Sequence, residues 1–190
     1  SSILPHNIGE SVDAITAYIK NKDITIKNLM KKIPGPDFPT GGIITNKDNL
    51  LEVYTKGKGT IKVRAKYEIT KVKGSHIITF TELPYLKSLD KIKAKIIALY
   101  NEGEFEELET ILRDDTSNLS VDFQLKLKKN ANVQKALNIL FDSCGLSSSI
   151  QMNNMIIKEG IPVRLSFKQL IEDIRTVCFG YEKYEILRLM

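Results

Sequence analysis

Two cysteines and two histidines are the whole thiol and imidazole inventory of this 190-residue chain. Cys144 and Cys178 lie far apart with no CxxC spacing, which argues against a disulfide framework or a zinc site and leaves them as buried thiols. No motif joins His6 or His76 to each other or to a nucleophile, so both read as structural or surface residues. Apolar runs stop well short of the ~18 residues a bilayer crossing needs, and no basic-then-apolar leader opens the chain. The expectation is an intracellular, cytoplasmic protein. P-loop, EF-hand and GxGxxG spacings are missing, and Gly57 and Gly59 bracket Lys58 without extending to a phosphate-cradling motif. Internal repeats and low-complexity segments are missing too.

What is present is enough for a real core: 42% hydrophobic residues over this length suit one domain, or one domain with an appendage. Lys and Arg exceed Asp and Glu by 28 to 23, a net charge of +5 that tilts the partner toward a polyanion. The cations are dense from Lys56 to Lys73 and again from Lys87 to Lys95, whereas Glu102 to Asp115 is acidic.

The densest information lies in KIPGPDFPTGG, Lys32 to Gly42, where three prolines and three glycines in eleven residues exclude helix and central strand. This is a stiff, shaped loop carrying Asp37 and Phe38, and Pro34 to Gly42 is expected to clamp the second helix to the sheet with Phe38 buried; a plain connector is the other reading. Before it, Asn7 and Glu10 form a capping box for an amphipathic helix to about Lys20, and Thr25 caps a shorter helix ended by Pro34. After it come a short strand at Gly42 to Thr45 and one or two helical turns from Asp48 to Tyr54. Ile61, Val63, Ala65, Tyr67 and Ile69 alternate with Lys62, Arg64, Lys66, Glu68 and Thr70, a half-buried strand with a cationic face. A turn at Lys73 to Ser75 returns it as Ile77 to Phe80.

Further on, a helix is expected to Tyr100, a strand at Leu108 to Arg113, a turn-rich loop at Asp114 to Asn118, and a one-faced strand at Val121 to Lys128. Ala131 to Ser143 reads as helix, and Leu146 to Ile157 is ambiguous between strand and loop. Apolar positions stepping by three and four from Ser166 to Met190 predict a helix of about 25 residues, nearly 40 Å at 1.5 Å per residue. The fold class is α+β: a mixed, mostly antiparallel sheet flanked by helices, spanning 1–165, with a long terminal helix over 166–190.

Four stretches, PHNIGESVDAITAYI, KIPGPDFPTGG, GKGTIKVRAKYEI and TELPY, come in an order and spacing that resemble the A subunit of bacterial type IIA DNA topoisomerases, DNA gyrase and topoisomerase IV. The resemblance covers essentially the whole chain and is weakest from Asn101 onward. It implies the tower, or shoulder, domain that follows the winged helix and carries the outer arms of the bent gate DNA during ATP-dependent strand passage. It also implies that the catalytic tyrosine and the wedge isoleucine lie upstream, so none of the seven tyrosines here is assigned that role. A fragment inactive by itself follows, with no cofactor of its own; Mg²⁺ and ATP belong to the parent enzyme through its B subunit. The implied partners are double-stranded DNA, a second A subunit, plus the B subunit, with a coiled coil continuing from the terminal helix.

Taken with the cationic strand face, the resemblance makes Lys56, Lys58, Lys62, Arg64 and Lys66 the candidate DNA-binding residues. An ordinary solvated strand face is the competing reading, and a non-catalytic α+β nucleic-acid-binding or scaffold module is the competing function; an enzyme built on Asp37 is a third. The chain departs from the family pattern at Lys58, where arginine is usual and bidentate phosphate geometry is lost. It departs again at Ser88 and Leu89, where an Asn-Lys pair is common. The opening ILPHN and the weak match toward the C-terminus suggest a divergent member, phage-encoded or from an AT-rich genome.

Overall fold

The computed structural model describes residues 3–117 and 120–176. They fall into two compact units, the first drawn from Ser1–Asp37, Asn46–Ile61 and Ile150–Met190, the second from Phe38–Thr45 and Lys62–Ser149.

In the first unit, α1 (Ile8–Lys20) starts where the Asn7 side chain accepts the Glu10 N–H, and α2 (Ile26–Leu29) where Thr25 accepts that of Asn28. Both caps were legible from the sequence. The inward face of α1 is narrower than its apolar spacing predicts: Ala14 and Tyr18 are buried, whereas Ile8 is 81% exposed and Val12 55%. A 3₁₀ turn (Lys47–Asn49) leads into α3 (Leu50–Lys56), which buries Leu50, Val53 and Tyr54. Gly57 ends α3 in the left-handed conformation, φ 66°. A Cβ there would lie 1.9 Å from the Leu165 carbonyl oxygen, so glycine at this position reflects a close approach of two backbones. Residues 167–176 are helical, α6 here, and bury Phe167 and Ile171. The remainder of the expected long helix, 177–190, lies outside the described residues.

The second unit is built on a four-stranded antiparallel sheet in the order β3 (Lys66–Val72), β4 (Ser75–Glu82), β6 (Ser120–Leu127), β5 (Leu108–Ser117). The β3–β4 turn is Lys73-Gly74 with both φ positive, 49° and 84°, the twist a two-residue hairpin needs. Helices α4 (Leu89–Asn101) and α5 (Val133–Asp142) lie against the sheet, and one apolar cluster joins Ile78, Phe80, Phe123, Leu125, Leu127, Ile92, Ile96 and Leu140. Alternate residues of β6 carry the other face, where Arg113 meets Asp122 at 2.9 Å and Lys126 meets Glu109 at 2.7 Å. Fully burying each such aromatic or leucine side chain stabilises the fold by about 1.5–3 kcal/mol.

β1 (Ile43–Ile44), β2 (Lys58–Arg64) and β7 (Ser147–Asn153) make a separate three-stranded sheet, and β8 (Met155–Lys158) with β9 (Ile161–Arg164) a hairpin. The fold class is α+β with antiparallel sheets, as the alternation requires. Two details differ from the sequence reading. The Gly57 to Ile69 run is two strands, broken at Ala65, whose N–H donates to the Leu146 carbonyl (2.8 Å). Asp114 and Asp115 sit on β5 and not in a turn, and Asp114 pairs with Lys93. Among the described residues no helix is long and apolar enough to cross a membrane.

Candidate nucleic-acid interface

The break at Ala65 and the division into units sort the five candidate cations into two groups. Lys56 closes α3 and Lys58 opens β2 in the first unit, both exposed, with Gly57 turning the chain between them. They share a cleft of about 500 Å³ with Glu52, Gln151, Asn153 and Arg164. Lys56 is ion-paired to Glu52 one helical turn earlier, and its hydrogen bond and charge hold the Glu52 carboxyl below the usual range. Arg164 donates its Nε–H to Asn153 Oδ1 at 3.1 Å, and Gln151 Nε2 donates to Thr60 Oγ1 at 2.9 Å. Sequence reasoning missed Arg164: one arginine at the end of a four-residue strand has no periodic signal.

Lys62, Arg64 and Lys66 belong to the second unit, and they are not one equivalent row. Lys62 is exposed. Arg64 is half-buried, its guanidinium carbon 5.9 Å from the Tyr67 ring centroid and 6.0 Å from that of Phe141, with Nε sealed from solvent. Lys66 is exposed and lies 3.1 Å from Glu82 Oε1.

Glu82 is the hub of this group. Its other oxygen, Oε2, accepts the Gly42 N–H at 2.6 Å, and a Cβ on Gly41 (φ 71°) would sit 2.3 Å from that oxygen. Phe38 is 6% exposed and stacks on Tyr85, ring centroids 4.9 Å apart. The glycine end of the proline loop is therefore held by the TELPY segment, through one carboxylate and one ring. Phe38 is buried as expected.

His6 donates from Nδ1 to the Leu4 carbonyl (2.9 Å) and accepts at Nε2 from the Tyr54 hydroxyl (2.7 Å). The Tyr54 ring stacks on Phe167 with centroids 4.5 Å apart, and burial pushes its phenol well up, the reverse of what an activated nucleophile needs. Among the described residues no group of three or more His, Cys, Asp or Glu converges.

A family model described as the A subunit of DNA gyrase/topoisomerase IV matches residues 1–183. The DNA gyrase A subunit of Streptococcus pneumoniae serotype 4 is 35% identical over 173 residues, 90% of this chain and 21% of that protein. Its counterpart in Streptococcus pyogenes serotype M18 is 34% identical over 189 residues, 99% of this chain and 22% of the relative. The counterpart in Leptospira biflexa is 38% identical over 173 residues, 90% and 20% respectively. The chain thus spans about a fifth of the length of these relatives. With the four sequence stretches folded so that two of them lock together at Glu82 and Phe38, and a family match over nearly the whole chain, this protein belongs to the DNA gyrase/topoisomerase IV A-subunit family.

Proposed function

We propose that residues 1–165 are the tower domain of a type IIA topoisomerase A subunit, with 166–190 leading toward its coiled coil. Its task is to carry an arm of the bent gate duplex while the parent enzyme passes a second duplex in an ATP-dependent cycle. One observation supports this most: along the family's glycine-lysine run, Ile61, Val63 and Ala65 are fully buried while Lys58 and Lys62 stand exposed. Cations on so firmly anchored a strand meet phosphates without any ordering of the backbone. Bending a gate duplex costs on the order of 1–10 kcal/mol, and sequence-independent phosphate contacts on its flanks offset that cost.

The partners in this reading are double-stranded DNA, a second A subunit, plus a B subunit, in the cytoplasm. Cleavage chemistry, with its tyrosine and metal carboxylates, belongs to other parts of that assembly, and the chain by itself binds without cutting. The test is competition between unrelated duplexes of about 30 base pairs, together with incubation on supercoiled plasmid with Mg²⁺ and ATP. Equal affinity for all sequences, a loss common to all of them in Lys62→Ala, and intact plasmid are expected. Absence of duplex binding would leave a scaffold module.

A further inference from the structure

The cleft of the first unit collects more positive charge than its exposed lysines announce. Lys56, Lys58 and Arg164 face one carboxylate, Glu52, which leaves a formal +2 in a concavity of about 500 Å³. That volume admits a phosphate group together with the sugars attached to it. Arg164 is the oriented member: its Nε–H is committed to Asn153 Oδ1, so its terminal nitrogens keep their N–H groups for a two-oxygen acceptor. Asn153 accepts through Oδ1 and retains its own amide N–H groups as neutral donors at the same wall. Lys56, by contrast, is engaged with Glu52, so an anion entering the cleft competes with that carboxylate for the ammonium.

We infer that this cleft is a seat for one phosphate group, contacted by Arg164 and Lys58 and restrained by the Glu52–Lys56 pair. Under the function proposed above, on which its biological meaning rests, the phosphate is a backbone phosphodiester of the duplex; a free phosphate has the same chemistry. Arg164 restores here the bidentate geometry that lysine at position 58 lacks. Glu52 acts as an internal competitor, so its neutralisation strengthens binding.

The test has two arms on the 190-residue chain. In the first, inorganic phosphate is titrated at constant ionic strength while the side-chain amide signals of Gln151 and Asn153 are followed by NMR. Saturable shifts are expected, weakened about tenfold or more in Arg164→Ala and strengthened severalfold in Glu52→Gln. In the second, a duplex of about 30 base pairs is bound over a salt series. Arg164→Ala should flatten the log K against log salt slope by about 0.9, whereas Arg164→Lys should keep the slope and lower affinity. A merely structural arginine would give neither pattern.

Phosphate shifts without duplex binding would uphold the seat, with free phosphate as its ligand, and overturn the DNA-carrying function. Duplex binding whose slope ignores Arg164, with no phosphate shifts, would overturn the seat and leave that function standing. Failure of both arms would overturn both.

Discussion

His6 shows how a residue without catalytic context acquires a function in stability. Burial lowers its pKa below the ordinary 6.5, and the Leu4 carbonyl and the Asp37 charge oppose the shift without cancelling it. The unfolded chain therefore takes up the proton first as pH falls. His6 contributes its full stabilisation above about pH 6.5 and loses it as pH drops toward the lower folded-state value, below which stability is again level. Unfolding measured from pH 8 to 5 should show this slope in the wild type and lose it in His6→Gln; a wild type without pH dependence would refute the assignment. Phe38 is the second test at this scale. Its ring is nearly enclosed against Tyr85, so Phe38→Ala should cost roughly 3–5 kcal/mol in a denaturant titration. Phe38 was legible from the prolines around it, whereas Glu82, its neighbour in the same lock, was one acidic residue among 23 acidic ones.

Elements were legible where a local rule determines them, and less so where a distant partner does. Asn7 and Thr25 each cap a helix as read from the sequence, because a side-chain acceptor three residues before an orphan N–H needs nothing from the rest of the chain. Period-2 alternation correctly placed Ile61, Val63 and Ala65 inward, yet it continues unbroken through a point where the backbone leaves one sheet for another. The break is set by the Leu146 carbonyl, remote in sequence, and no alternation pattern encodes such a partner. Asp114 and Asp115 were expected in a turn because polar residues crowd there, but they extend β5, Asp114 opposite Phe123 and Asp115 opposite Asp122. Two glycines separate local from tertiary demand. Gly74→Ala meets only the left-handed penalty, about 1 kcal/mol, since nothing lies within 4 Å of a Cβ there. Gly57→Ala adds a collision with the Leu165 carbonyl and should cost clearly more. Thermal melts of the two variants giving equal losses would contradict the close approach of these backbones.

At the scale of the whole molecule, the sequence conveyed the family and the sign of the surface, and the fold decided how the charges are grouped. Five cations read as one run become an exposed pair beside Arg164 in one unit and three unlike residues in the other: one exposed, one laid against aromatic rings, one held by a carboxylate. Charge counting alone cannot see such engagement, because ion pairs and ring contacts are made by residues distant in sequence. The central claim is that the exposed cations bind duplex DNA through its phosphates. The most direct measurement is fluorescence anisotropy of the 190-residue chain with a duplex of about 30 base pairs between 50 and 200 mM salt. Phosphate contacts by Lys58, Lys62 and Arg164 predict a log K against log salt slope near −2.7, a loss of about one and a half orders of magnitude across that range. An affinity independent of salt, or no binding at the lowest salt, would contradict the claim.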